Sequence, residues 1–377
     1  MKELGIYVHI PFCKQKCLYC DFVSFANREK MQEEYIECLK KEIKNWKKTN
    51  NEYKLKTIYI GGGTPSYIDS KYIIDILKIL GVSLNDEISI TIEINPGTVT
   101  KQKLQDYKDS GVNRLSIGLQ STNERLLKQI GRIHNYQQFL ETYNLAREVG
   151  FNNINVDLML GLPNQSISEL KESLENISEL NPEHISVYSL IIEENTPMQK
   201  LIEDKKLELL DEETERQMYW YTKSFLELKG YKHYEISNFA KPEFESRHNL
   251  DCWNQKEYIG FGVAAYSYID GKRFGNISNM EEYIKNCNNQ DFEKNIILEE
   301  VQDKTKEMNE YMILGLRKID GISIKEFEKK FNENPIMLYR IEFQKLHEEK
   351  LIIIDGDIIK LSNKGLDFAN LVWEEFV

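Results

Sequence analysis

No stretch of this chain approaches the run of about eighteen uncharged apolar residues that a membrane-crossing helix requires. Basic residues are also in the minority: 49 Lys and Arg stand against 61 Asp and Glu, a net charge of −12. Sequence-independent contact with a phosphate backbone needs a basic face, so nucleic acid is not an expected partner. The acidity is diffuse and reads as a solubility feature. The Met1 end carries Lys2 and Glu3 ahead of a short apolar run instead of a secretory signal. A cytoplasmic location is therefore expected, and a disulfide scaffold is not. Neither a low-complexity tract nor a clean linker interrupts the chain. Its 377 residues, 41% of them hydrophobic, suffice for one large core or two domains.

What is present begins with Cys13, Cys17 and Cys20, spaced Cys-x-x-x-Cys-x-x-Cys in the string Tyr7–Phe22. Three thiolates on one short loop can hold three irons of a [4Fe–4S] cluster and leave the fourth iron open to a small molecule. A purely electron-carrying cluster normally has four cysteines, so the missing one points to chemistry. The alternatives are a zinc site, with His9 as fourth ligand, or unrelated buried thiols. Structural zinc usually takes a second Cys or Cys/His pair, and none follows nearby. Cys38 and Cys287 look incidental. The spacing resembles the signature of the radical S-adenosylmethionine (SAM) superfamily. That resemblance implies SAM chelated to the open iron and its reductive cleavage to a 5′-deoxyadenosyl radical.

The first half alternates β-branched runs with amphipathic segments. Strands are expected at Gly5–His9, Thr57–Ile60, Ser89–Ile94, Arg114–Gly118, Asn155–Met159 and His184–Ser189. Helices are expected around Gln32–Trp46, Lys71–Leu80, Lys101–Ser110, Glu124–Ile130, Gln137–Val149 and Ile167–Leu180. Six strand–helix repeats predict an α/β fold, a parallel TIM-like barrel left open because eight are needed to close it. Its site should lie in the loops at the carboxyl ends of the strands. Beyond Ile192 the pattern changes. Leu207–Leu228 reads as one long helix, and Tyr231–Tyr268 is aromatic-rich with little periodicity. Helices around Lys306–Arg317, Ile324–Phe331 and Met337–Glu349, then a hairpin Leu351–Asp355 and Asp357–Leu361 and a last helix, suggest a winged-helix-like module. With 12 Lys/Arg against 14 Asp/Glu, that module reads as structural or partner-docking, not DNA-binding. The expected division is 1–195 for the partial barrel, 196–300 for a connecting region, and 301–377 for the C-terminal module.

Polar residues recur at the expected strand ends. Gly61-Gly62-Gly63-Thr64-Pro65 forms a glycine-rich turn without the Gly-Lys-Ser/Thr ending of a Walker loop. Glu93 sits among apolar strand residues, where an acid is costly unless partnered. Gln120 follows the next strand, Asp157 stands in the string Asn155–Pro163, and Arg132 offers a fork suited to a carboxylate. Singly, each is equally a satisfied core polar group or a cap; together they describe one ligand pocket.

These strings resemble, over nearly the whole chain, the radical SAM family of oxygen-independent coproporphyrinogen III oxidase-like proteins, and within it most the heme-chaperone branch, HemW. The resemblance implies that Cys13, Cys17 and Cys20 hold the cluster. It implies that Tyr7, Gly62, Gly63, Thr64, Glu93, Gln120, Arg132 and Asp157 contact SAM, and that Tyr19 packs on its adenine. The oxidase branch resembles a motif with a further cysteine where Phe22 stands, and it carries an extension ahead of the motif. Arg247–Trp253 resembles the chaperone branch's His-Asn-x-x-Tyr stretch, with Cys252 at the tyrosine position. His248 is thus the first candidate heme ligand, Cys252 the second and His233 a weaker one. Tyr231, Tyr234, Phe239, Phe244, Trp253 and Tyr258 would supply an apolar wall for a porphyrin; the competing reading is a core histidine and ordinary packing.

The expected function is a heme chaperone binding a [4Fe–4S] cluster, SAM and heme, and delivering heme to apo-hemoproteins such as respiratory cytochromes. An electron donor of flavodoxin or ferredoxin type is implied, and peripheral membrane contact and a homodimer are compatible with that role. The alternatives are oxidative decarboxylation of the coproporphyrinogen III propionates, or a radical SAM reaction on another substrate.

Overall fold

The computed structural model describes residues 2–50, 52–83 and 87–377. Its first half consists of β1 (Lys2–Ile10), α1 (Gln32–Thr49), β2 (Tyr53–Gly62), α2 (Ser70–Leu80), β3 (Ser89–Ile94), α3 (Lys101–Asp109), β4 (Arg114–Gln120), α4 (Glu124–Gln129), α5 (Tyr136–Val149), β5 (Ile154–Leu160), α6 (Ile167–Glu179) and β6 (His184–Ser189). The strands pair in parallel in the order β1-β2-β3-β4-β5-β6. This is the expected open barrel of six βα units. Local chemistry sets the helix ends. Asn135 with Gln138 and Ser166 with Glu169 form capping boxes at α5 and α6. Gly81 closes α2 in a left-handed conformation. Ile6, Val8, Ile58, Ile60, Ile92, Ile117, Val156 and Leu158, all essentially inaccessible, belong to the main core.

The second half departs further from expectation. α7 (Pro197–Glu203) is separate from α8 (Glu212–Leu228), so the long helix expected from Leu207 begins five residues late. Asp211 is the reason, since its carboxylate accepts from the Thr214 amide at 2.9 Å and caps α8 there. The aromatic-rich stretch is not irregular. It holds β7 (Lys232–Glu235), β8 (Asn238–Ala240), α9 (Arg247–Trp253), β9 (Tyr258–Phe261) and β10 (Tyr266–Ile269), followed by β11 (Lys272–Asn276), α10 (Met280–Asn288) and β12 (Ile296–Val301). These strands extend the barrel sheet to twelve, in the order β12-β11-β10-β9-β1-β2-β3-β4-β5-β6-β8-β7. β9 lies parallel to β1, whereas β8 runs antiparallel to β6.

The C-terminal region contains α11 (Lys304–Gly315), β13 (Ile322–Ser323), α12 (Ile324–Phe331), α13 (Pro335–Leu338), α14 (Arg340–Glu348), β14 (Ile352–Asp355), β15 (Ile358–Leu361), α15 (Asn363–Asp367) and α16 (Ala369–Glu374). The helix expected over Met337–Glu349 is two helices, broken at Tyr339, whose φ of −103° and ψ of 37° leave the helical region. A three-stranded sheet, β13-β15-β14, backs the helices. Met312, Leu316, Phe327, Phe343, Ile359 and Val372 form a core distinct from that of the barrel. Among the described residues no helix is long and apolar enough to cross a membrane.

Candidate functional site

A cavity of about 390 Å³ opens at the carboxyl ends of the barrel strands, and Cys13, Cys17 and Cys20 all line it. Their loop leaves β1 through Phe12–Cys13, which pairs with Phe25–Ala26 and closes the loop at its base. Backbone bonds from the Leu18 amide to Ile130 (3.0 Å) and from the Met198 amide to Leu18 (2.9 Å) fasten it to the barrel rim. Burial pushes the Cys13 thiol up and the Cys20 thiol up to about 11. Such thiols keep their protons until a metal centre displaces them. No group of three His, Cys, Asp or Glu among the described residues is arranged for a single metal ion. A cubane cluster takes one sulfur per iron, so its ligands stand further apart than the donors of one ion. His9 does not join the cysteines. Its Nδ1 meets the Tyr7 hydroxyl at 2.9 Å and its Nε2 the Val23 carbonyl at 2.8 Å.

The glycine turn ends β2 against this loop. Gly62 has φ +110°, and a Cβ there would stand 2.6 Å from the His9 ring. The Gly62 amide donates to Glu93 Oε2 at 3.2 Å, and the Tyr59 hydroxyl donates to Oε1 at 2.9 Å. Burial raises Glu93 to about 7, with the two donors working against the rise. The Thr64 hydroxyl reaches Cys13 Sγ at 3.5 Å and accepts from Asn95 Nδ2 at 2.8 Å. The turn, the cysteine loop and the end of β3 are thus cross-linked.

β4 ends in a bulge after Gly118 that puts Gln120 at φ +74°, an uncommon conformation for a non-glycine residue. Arg132 donates to Cys17 Sγ at 3.5 Å, to Asn95 Oδ1 at 2.9 Å and, by a very short contact, to the Gly118 carbonyl. Its buried Nε–H has no partner among the described residues. An orphaned guanidinium donor beside the cysteines suits an anionic group such as the SAM carboxylate. Asp157 accepts from Asn155 Nδ2 at 2.6 Å and from Ser116 Oγ at 3.4 Å, while burial raises its pKa.

Of the residues read as SAM contacts, Tyr19, Gly62, Gly63, Thr64, Glu93, Gln120, Arg132 and Asp157 line the cavity. Tyr7 does not; it stands behind Tyr59, ring to ring at 6.4 Å. Sequence reasoning missed Tyr59, Asn95, Ser116, Met159 and Tyr188, which also line it. Tyr59 was recoverable, because it is two residues from both Thr57 and Gly61 and so shares their face of β2.

His248 and Cys252 lie elsewhere. α9 presses His248 against the amino-terminal half of β2, where Nδ1 meets Thr57 Oγ1 at 2.9 Å and the ring packs 5.3 Å from Tyr59. The imidazole is buried, and burial lowers its pKa to about 4. His233 meets the Ile236 carbonyl at 3.1 Å and stacks on Phe239 at 4.5 Å. Tyr231, Tyr234 and Phe239 are core residues, and Trp253 packs on Arg317; they do not form an open wall.

Residues 7–177 match the Radical SAM superfamily, and residues 302–368 match the HemN C-terminal domain. The coproporphyrinogen III oxidase (HemN) of Escherichia coli, described as a radical SAM enzyme, superposes with a TM-score of 0.86 at 22% identity, over 100% of this chain and 90% of that one. Fold and cysteine loop together define a radical SAM partial barrel carrying a HemN-type C-terminal domain, a class that implies a [4Fe–4S] cluster and SAM. The heme chaperone HemW of Lactococcus lactis is 37% identical, covering 100% of this chain and 98% of its own length. HemW of Bacillus subtilis is 37% identical, covering 98% of each. The chain belongs to the HemW family.

Proposed function

We propose that this protein is a heme chaperone that holds a [4Fe–4S] cluster and SAM in the barrel cavity, takes up heme, and passes it to apo-hemoproteins such as respiratory cytochromes. The observation that carries the reading is the end-to-end likeness, at 37% identity, to two proteins named heme chaperone HemW. Cys13, Cys17 and Cys20 are the proposed cluster ligands. When bound, the cluster supplies an electron for cleavage of SAM, delivered by a flavodoxin- or ferredoxin-like donor. Arg132 receives the SAM carboxylate on its orphaned donor, Glu93 and the glycine turn receive the amino group, and Tyr19 packs on the adenine. Asp157 and Gln120 complete the polar lining. The proposed heme ligands are His248 and then Cys252, and because His248 faces inward, α9 has to swing outward to ligate iron. The division at 1–195, 196–300 and 301–377 is retained as the proposed domain plan.

Product analysis tests the reading against coproporphyrinogen decarboxylation. The cluster-loaded, reduced protein is given SAM with either heme and an apo-cytochrome or coproporphyrinogen III. Stoichiometric transfer of heme is expected, with the propionates of coproporphyrinogen III left unconverted. Catalytic formation of protoporphyrinogen would establish the oxidase reading instead.

A further inference from the structure

Tyr59 stands between the barrel cavity and the helix that carries His248, and it touches both. Alternation along β2 turns Thr57, Tyr59 and Gly61 to one face. The Tyr59 hydroxyl donates to Glu93 Oε1 at 2.9 Å. Its ring meets the His248 imidazole at 5.3 Å and 30°. Thr57, one step back on the same face, hydrogen-bonds with His248 Nδ1 at 2.9 Å. A phenol ring is stiff and its surroundings are close-packed, so a displacement at the hydroxyl end is felt at the ring face. Glu93 depends on this bond for its orientation, since its other bond comes from the Gly62 amide at a longer 3.2 Å.

α9 is built to be held or released. It has seven residues, and Ser246 makes no side-chain cap bond at its start. Its inner grip is His248 on Thr57 and Tyr59. On its outer side the Trp253 indole lies 4.4 Å from the Arg317 guanidinium, and Lys318 Nζ reaches Asn254 Oδ1 at 2.5 Å. That outer grip leaves Trp253 Nε1 and Arg317 Nε buried without partners among the described residues. Unsatisfied donors raise the free energy of the packed position and narrow the gap to a displaced one.

We propose that Tyr59 is a positioning residue that couples the two places: a cationic ligand engaging Glu93 fixes the Tyr59 hydroxyl and ring, and so holds His248 and α9 against the barrel. Uptake of a ligand by α9 then loosens the cavity in return, by the same factor, because linkage is reciprocal. The heme half rests on the function proposed above; the SAM half does not.

Hydrogen–deuterium exchange on the cluster-loaded protein tests the SAM half without heme. SAM is expected to slow exchange of the amides over 247–254 about fivefold or more. Tyr59→Phe keeps the ring but loses the bond to Glu93, and it should bind SAM without that slowing. Thr57→Val, which cuts the bond to His248 and lies outside the cavity, should lose the slowing and weaken SAM binding by no more than that same factor. An α9 whose exchange ignores SAM in the wild type, or slows equally in Tyr59→Phe, overturns the proposal. Heme titration with and without SAM then reads the reciprocal factor. Absence of any heme binding would remove the chaperone reading while leaving the exchange result to stand or fall by itself.

Discussion

Glu93 should make SAM binding depend on pH. Burial lifts its carboxyl from an ordinary 4.5 to about 7, a difference worth roughly 3 kcal/mol at about 1.36 kcal/mol per pKa unit. In the empty cavity at pH 6, about nine-tenths of the molecules carry the protonated acid. A sulfonium or ammonium beside the carboxylate favours the ionised form, so binding expels that proton. SAM affinity should then rise close to tenfold between about pH 6 and 7.5 and flatten above. Asp157, also raised by burial, adds in the same direction. His9 at about 4 and His134 at about 3 do not titrate in this window. Calorimetric titration of the cluster-loaded protein measures the slope, and Glu93→Gln should lose the Glu93 share of it and keep only that of Asp157; the ratio of the two proteins cancels the titration of SAM's own amino group. Stability carries the opposite sign. An acid raised in the folded state contributes fully below about 4.5 and loses that contribution as pH climbs through about 7. The SAM-free Glu93→Gln protein should therefore gain on the wild type in thermal melts above pH 7. Equal pH slopes in both proteins would refute the reasoning.

Cys17→Ala should abolish the cluster, read as iron and sulfide content, and leave heme uptake intact; joint loss of both would contradict two separate places. Arg132→Ala should weaken SAM binding about tenfold or more at unchanged cluster content, the cost of removing a charged hydrogen-bonding partner. Unaltered affinity would take Arg132 out of the site. Gly62→Ala should lower stability by about 1–3 kcal/mol in denaturant titrations, from a positive φ and a 2.6 Å approach to the His9 ring. His9→Ala should relieve part of that cost, and strict additivity of the two changes would deny the clash.

The barrel was legible because its strands are β-branched runs separated by well-capped amphipathic helices, so local pattern and final pairing agree. β3 and β6 match the expected bounds residue for residue. The strands between Ile192 and the C-terminal hairpin were hidden for a physical reason. β7 to β10 are only three or four residues long, and β9 finds its place beside β1 through contacts some 250 residues apart in sequence. The cavity's polar lining was readable because its residues lie in, or just after, strands whose order is fixed. Tyr59 escaped although its face of β2 was readable from the alternation, because its hydroxyl bond to Glu93 shows only in the structure. His248 shows the converse: its segment stood out in the sequence, and the side chain turns into the barrel core.

The central claim is that this chain carries heme, with His248 as its ligand. Titration of the anaerobically cluster-loaded protein with heme, followed at the Soret band for wild type and His248→Ala, tests it most directly. The account predicts saturable one-to-one binding in the wild type that His248→Ala loses. Binding that survives unchanged in the mutant would contradict the assignment of His248, and no specific binding in the wild type would contradict the chaperone function itself.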